Sequence, residues 1–112
     1  MGKHKGHIPR KLKISVFDRD ESACQVCNAT TDLCLGHKVA PSQGGTNAPD
    51  NLMVLCRTCL GFKRNLPLSV AEMRVYLARY EAMWVEPDER HTKVWYLNMM
   101  IARDRQQARR EA

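Results

Sequence analysis

The feature that most constrains this chain is a repeated Cys-x-x-Cys motif, found at Cys24–Cys27 and again at Cys56–Cys59. Four thiolates spaced in this way form the closed tetrahedral ligand set of structural Zn²⁺ sites. A disulfide framework requires an oxidising compartment, to which nothing in the sequence points. A thioredoxin-like redox motif suits two pairs around an apolar–loop–apolar segment less well than zinc does. We therefore expect a structural zinc ion bound by Cys24, Cys27, Cys56 and Cys59.

Length and composition indicate one small domain. The 112 residues can bury only a modest core, a shortfall that a zinc site would offset. With 44% hydrophobic residues, the chain is not disordered as a whole. No apolar run approaches the ~20 residues needed to cross a bilayer. The basic segment 1–7 has no apolar stretch behind it, so we expect no secretory signal and a cytoplasmic location, where thiols stay reduced.

Positive charge is concentrated in three parts of the chain. The formal net charge is +6 at pH 7, and the basic clusters lie in residues 1–13, in and after the second Cys pair, and in residues 103–110. Such clusters favour a polyanionic partner, most often nucleic acid. A solvated surface that keeps the protein soluble is the plainer alternative.

Apolar spacing predicts helices at both ends of the chain and two strands between the Cys pairs. The two short apolar runs suit strands, and they flank a loop rich in Pro, Gly and polar residues. Ser69 and Glu72 have the spacing of a capping box, which predicts a helix start at Val70. Cys34 is interpreted as a small buried hydrophobic residue. The predicted elements are a helix over 10–19, strands over 33–40 and 51–55, and helices over 56–65, from 70 to about Trp84, and from about Glu89.

The last two helices carry Met and aromatic side chains at helical spacing. Such stripes are more often core or a dimer seam than a partner-binding surface. We keep self-association or a protein partner at these helices as an alternative, and we expect the polar end of the chain to fray from Arg103. The side chains concerned are Met73, Tyr80, Met83, Trp84, Trp95, Met99 and Met100.

The residues between and beyond the Cys pairs resemble a known family. His37 is followed at fixed offsets by Pro41, by Gly44-Gly45, by Asn51 and by Lys63. Together with the Cys pairs and the preceding segment 17–20, this pattern resembles the HNH endonucleases that carry a Cys₄ zinc site. The resemblance extends over about residues 10–65.

The resemblance implies the fold. We expect an α+β protein with a zinc-stabilised ββα-metal (HNH-like) module, an N-terminal helix and a C-terminal two-helix extension. We divide the chain into a flexible basic arm over 1–8, the module over 9–66, and the extension with its basic polar tail over 67–112.

The resemblance also implies a chemistry. The family's histidine, here His37, is the general base that activates water against a phosphodiester, and its asparagine, here Asn51, orients the loop. A divalent cation such as Mg²⁺, Mn²⁺ or Ni²⁺ stabilises the charge that develops on the phosphate. The expected function is that of a metal-dependent DNA endonuclease.

The sequence departs from the family where the catalytic-metal ligands are expected. Gly36 precedes the histidine and Leu60 follows the last cysteine, and neither side chain can coordinate a cation. His37 itself, Asp50, or the histidines at positions 4, 7 and 91 could be recruited, but none has motif support. The alternative function is therefore a catalytically degenerate module that binds DNA or a protein partner without cleavage.

The resemblance indicates double-stranded DNA as the partner, because the family's ββα element docks in the minor groove. Basic side chains near that element would contact phosphates independently of sequence and would make binding salt-sensitive. Ordinary surface charge is the alternative for each of them. The candidate contacts are Lys38, Arg57, Lys63 and Arg64.

Overall fold

A computed structural model describes residues 7–83 and 92–111 and contains a two-stranded sheet and four helices in those ranges. A helix follows the second strand directly, which is the ββα arrangement, so the expected α+β fold is confirmed. Predictions for residues 1–6, Trp84, Glu89, His91 and the helix break at 86–88 lie outside the described residues. The elements are α1 (Arg10–Arg19), β1 (Leu33–His37), β2 (Leu52–Cys56), α2 (Arg57–Lys63), α3 (Val70–Ala82) and α4 (Lys93–Glu111).

The sheet separates two groups of buried side chains. β1 and β2 pair antiparallel, with Gly36 opposite Met53 and His37 opposite Leu52. Because successive residues of a strand point to opposite faces, His37 lies on the face that packs against α1, and Gly36 lies on the other. All of β2 is buried because both of its faces are covered.

The larger core joins the cysteine motifs to the C-terminal helices. Met73 of α3 and Leu97 and Ile101 of α4 are buried in the same cluster as Cys24, Cys56 and Cys59. The predicted capping box is present at the start of α3, where the Ser69 hydroxyl accepts from the Glu72 amide at 3.1 Å. The extension therefore shares its core with the cysteine cluster.

The longest described helix departs from its prediction at the C-terminal end. Fraying was expected from Arg103, whereas α4 continues to Glu111. Arg109 and Arg110 lie in its last turn, where a positive charge interacts favourably with the helix dipole and stabilises the helix. Gln107 also donates a hydrogen bond to Glu111 at 2.9 Å. Within the described ranges, no helix is long and apolar enough to cross a membrane.

An arginine–aspartate pair fixes the end of α1 to the sheet. Arg19 Nε contacts Asp20 Oδ1 at 2.8 Å, and its other nitrogens donate to the carbonyls of Pro49 (2.7 Å) and Leu52 (2.6 Å). Asp20 Oδ2 accepts from the Val54 amide at 2.9 Å. Burial raises the pKa of Asp20, but these hydrogen bonds outweigh it and hold the pKa below its usual value. The pair therefore supports β2 and the segment that leads into it.

Replacing Asp20 by Asn should destabilise the protein at neutral pH, because the Arg19 guanidinium and the Val54 amide lose an ionised acceptor. We expect a loss of about 1–3 kcal/mol in the free energy of unfolding, measured by urea denaturation of the zinc-loaded protein at pH 7. The neighbouring exposed Asp18→Asn is the matched control and should change stability by less than about 0.5 kcal/mol. Equal effects of the two substitutions would contradict the proposed role of Asp20.

Candidate functional site

Four cysteines from separate segments converge at one end of the sheet. Cys24 and Cys27 lie in the turn that precedes β1, Cys56 ends β2, and Cys59 lies in α2. Their sulfur atoms all lie within 4.8 Å of one another, and Cys27 Sγ is 3.6 Å from Cys56 Sγ. A tetrahedral zinc ion with Zn–S bonds of about 2.3 Å needs sulfur–sulfur separations of about 3.8 Å. The donor set therefore fits a zinc ion.

Local backbone geometry brings these sulfur atoms together. The Asn28 amide donates to the Cys24 carbonyl at 2.9 Å, and Asn28 has the left-handed conformation expected of it, with φ 66°. Cys56 forms the N-cap of α2, and its Sγ accepts from the Cys59 amide at 3.4 Å. Each Cys-x-x-Cys motif thus directs both of its sulfur atoms to the same point.

The thiols of the cluster perturb one another's pKa values. A hydrogen bond from Cys59 lowers the pKa of Cys24 to about 4, and the same contact raises the pKa of Cys59. Burial raises the pKa of Cys27. Coordination to zinc would stabilise all four thiolates at once, because a metal-bound thiol is deprotonated.

Cys34 does not belong to this cluster. It lies in β1, where its Sγ donates to the Leu55 carbonyl at 3.3 Å. The sequence predicts a small buried hydrophobic residue here, and the side chain of Cys34 is partly buried. Partial burial raises the pKa of its thiol.

His37 ends β1 and is held by a neighbouring amide. Its Nε2 lies 2.8 Å from Asn47 Oδ1, and Asn47 Nδ2 donates to the His7 carbonyl at 2.8 Å. The second bond fixes which way the Asn47 amide points, so its oxygen faces the ring and Nε2 carries the proton. Nothing in the sequence motif indicated the contact with Asn47.

Asn51 fastens the loop that follows His37. Its side chain accepts from the Val39 amide at 2.9 Å and donates to the carbonyls of Val39 (3.0 Å) and Thr46 (2.7 Å). Gly44 adopts φ 89°, and a Cβ at Gly45 would lie 1.8 Å from the Val39 carbonyl oxygen, so this turn requires glycine at both positions. Asn51 is thus a support for the loop and has no direct bond to His37 among the described contacts.

The two positions where the family carries metal ligands face each other. An ideal Cβ at Gly36 would lie 3.3 Å from Leu60 Cδ1 and 2.6 Å from Leu55 Cδ1. Leu55 is fully buried, and Leu60 packs against the larger core. The space between the strand and the helix at this point is therefore filled by leucine side chains.

Three of the four candidate phosphate contacts are on the surface. Lys38, Arg57 and Arg64 are exposed. The prediction that Lys63 contacts phosphates from the surface is wrong, because its side chain is 1% exposed. Its Nζ donates to the Leu66 carbonyl at 3.1 Å. Burial lowers the pKa of Lys63. Helical spacing alone does not distinguish a basic residue that faces the core from one that faces solvent.

Comparison with known families agrees with this geometry. The family model described as HNH endonuclease matches residues 22–59, which include all four clustered cysteines, His37 and Asn51. The resemblance inferred from the motifs is thereby confirmed for residues 22–59. No curated protein and no solved structure matches the chain.

Removing the metal should unfold the protein. Zinc binding in small zinc-finger domains is worth on the order of 10 kcal/mol, comparable to the whole stability of a domain. We expect chelation, or Cys56→Ser, to abolish the cooperative thermal transition followed by circular dichroism.

Cys34→Ser is the matched control, because Cys34 lies outside the cluster. It should retain one zinc ion per chain, measured by elemental analysis, and a cooperative transition. An unchanged melting curve after complete removal of zinc would contradict a structural metal site.

Proposed function

We propose that this chain is a zinc-scaffolded HNH module that binds double-stranded DNA without hydrolysing it. In this proposal Cys24, Cys27, Cys56 and Cys59 hold a structural zinc ion, and exposed basic side chains contact DNA phosphates. The division of the chain into a module over 9–66 and an extension over 67–112 stays a prediction.

The packing of Gly36 against Leu55 and Leu60 is the observation that carries the proposal. A catalytic cation needs oxygen or nitrogen ligands beside the scissile phosphate. At this place the chain offers a glycine and two leucines, in apolar contact distance. Among the described residues, the four cysteines are the only group of three or more His, Cys, Asp or Glu side chains placed to hold a metal ion.

The environment of His37 is compatible with both a binding module and a cleaving one. A general base needs an unprotonated ring nitrogen within hydrogen-bond reach of water. Nε2 donates to Asn47, so the lone pair resides on Nδ1. An oxygen that accepts from one ring nitrogen orients the other nitrogen to act as a base. The proposal therefore depends on the apolar residues at positions 36 and 60 and not on His37.

The exposed basic residues support binding to a duplex. Lys38 follows β1 and Arg57 follows β2, so they lie at opposite ends of the hairpin, which is about 16 Å long. Both are exposed, and neither forms an ion pair with an acidic side chain within residues 7–83 and 92–111, so the two charges are available to separate phosphates. Contacts of this kind give affinity without sequence selectivity.

Metal-dependent DNA cleavage is the second candidate. It is favoured by the HNH match and by the position of Asn51, which supports the loop after His37 as the family's asparagine is expected to do. In this candidate His37 is the general base, and Mg²⁺, Mn²⁺ or Ni²⁺ binds through ligands other than residues 36 and 60.

A plasmid-nicking assay distinguishes the two candidates. We expect the zinc-loaded protein to leave supercoiled DNA intact with Mg²⁺, Mn²⁺ or Ni²⁺, because the ligand positions are apolar. His37→Ala should behave in the same way. Nicking by the parent protein that disappears in His37→Ala would overturn the non-cleaving proposal.

A double substitution tests whether the apolar residues at positions 36 and 60 are the reason that no catalytic cation binds. Gly36→Asp with Leu60→His restores two ligand side chains and removes one of the leucines that a side chain at position 36 would meet. We expect this variant to gain Mn²⁺ binding, measured by calorimetry, while it retains its zinc. Gly36→Ala with Leu60→Ala is the matched control without ligands and should gain none.

The salt dependence of duplex binding should report the phosphate contacts. Each lost contact lowers the slope of log affinity against log salt concentration by about 0.9. We expect Lys38→Gln and Arg57→Gln each to reduce the slope by about that amount, measured by fluorescence anisotropy over a range of KCl concentrations. Lys93→Gln is the control, because Lys93 already pairs with Glu81 at 2.8 Å. An equal slope for all three variants would contradict specific phosphate contacts.

A further inference from the structure

A groove with an apolar floor and basic edges lies beside α4. It has a volume of about 560 Å³ and is open to solvent along its length. The connection between α2 and α3 forms one wall and α4 forms the other. The residues that the argument uses are Arg64 from the connection and Trp95, Asn98, Ala102, Arg105 and Arg109 from α4.

The α4 residues of the groove form one continuous stripe. Positions 95, 98, 102, 105 and 109 are separated by three or four residues, the spacing of side chains on one helical face. The stripe is about 21 Å long at a rise of 1.5 Å per residue. Its first part is aromatic and apolar, with Trp95 39% exposed, and its last part is basic.

The charged residues that line this groove have one sign. Arg64, Arg105 and Arg109 line it, and none of its lining residues is acidic. Three guanidinium groups beside a low-polarity floor favour an anionic ligand, since guanidinium pairs with phosphate by two parallel hydrogen bonds. The groove is therefore complementary to a ligand that is both anionic and flat or apolar.

An unpartnered polar atom lies at the same place. Asn98 belongs to the lining of the groove, and its Oδ1 is buried without a hydrogen-bond partner. A buried acceptor of this kind destabilises the protein unless a donor reaches it. If the Asn98 side chain rotates so that this oxygen faces the groove, the amine or imide edge of a nucleobase can donate to it.

We propose that this groove binds an unpaired nucleic-acid strand, with a base against Trp95 and phosphates on Arg64, Arg105 and Arg109. The inference rests on the proposed nucleic-acid binding of the HNH module and adds a second contact surface to it. Arg64 immediately follows α2, so the groove begins where the HNH module ends. An aromatic floor can stack only on bases that are not already stacked in a duplex, and stacking with a positively charged wall is typical of single-strand binding.

Two alanine positions on α4 allow a matched test. Ala102 lies on the groove stripe, whereas Ala108 is about 120° away around the helix, and both are exposed. Ala102→Glu and Ala108→Glu make the same change in net charge and remove no packing. Binding of a fluorescent oligothymidylate of about 12 nucleotides, and of a duplex of the same length, is measured by anisotropy for the zinc-loaded variants.

We expect Ala102→Glu to weaken single-strand binding by about tenfold or more and Ala108→Glu to change it much less. Trp95→Ala should weaken it by about 5- to 100-fold, and Trp95→Phe should restore most of the affinity, because stacking on a base needs only an aromatic ring. Circular dichroism and zinc content confirm that each variant is folded.

The possible failures can be told apart. Equal losses in the two Glu variants would overturn the groove site, since net charge alone would then explain binding. Duplex binding without single-strand binding would overturn the groove site and leave the duplex proposal standing. Single-strand binding without duplex binding would support the groove and overturn the duplex proposal. Displacement of the oligonucleotide from the wild-type protein by polyglutamate at equal charge concentration would assign the groove to an acidic peptide and overturn the inference.

Discussion

The convergence of four sulfur atoms is the constraint on which the other features depend. It joins the turn before β1 to the junction of β2 and α2, two segments about 30 residues apart in the chain. A domain of this size buries too little apolar surface to be stable by a wide margin, and a metal cluster at the centre of the core offsets that deficit. Because Met73, Leu97 and Ile101 pack in the same cluster, the C-terminal helices also depend on this centre.

Side-chain hydrogen bonds hold the loop after His37, while residues 36 and 60, where catalytic-metal ligands were expected, are apolar. Asn51 holds the loop through three hydrogen bonds, and Arg19 with Asp20 holds the strand that Asn51 precedes. Gly36 directly precedes His37 in β1. Because side chains alternate along a strand, Gly36 lies on the opposite face of the sheet from His37, towards Leu60. Leucine packing there strengthens the core, whereas ligand side chains would have to bury charge beside it.

Local signals predicted much of the secondary structure. α1 has its predicted bounds, the capping box begins α3 as expected, and both strands lie within a few residues of the predicted runs. These features depend on spacing and on side chains that bond to neighbouring backbone. Lys63 is a residue whose environment such local signals do not predict. Its place in α2 was predicted, but its orientation depends on which face of the helix the rest of the protein covers. The same holds for Cys34, whose exposure depends on which elements cover its face of β1.

The sequence by itself determined the donor set, the order of the elements and the loop that carries His37 and Asn51, because each of these follows from residue type and short-range spacing. Only the tertiary structure decided that residues 36 and 60 meet, that Asn47 holds the His37 ring, and that Arg64 joins Arg105 and Arg109 along one groove. In each case the partners are distant in the chain, and their proximity results from packing that no local pattern encodes.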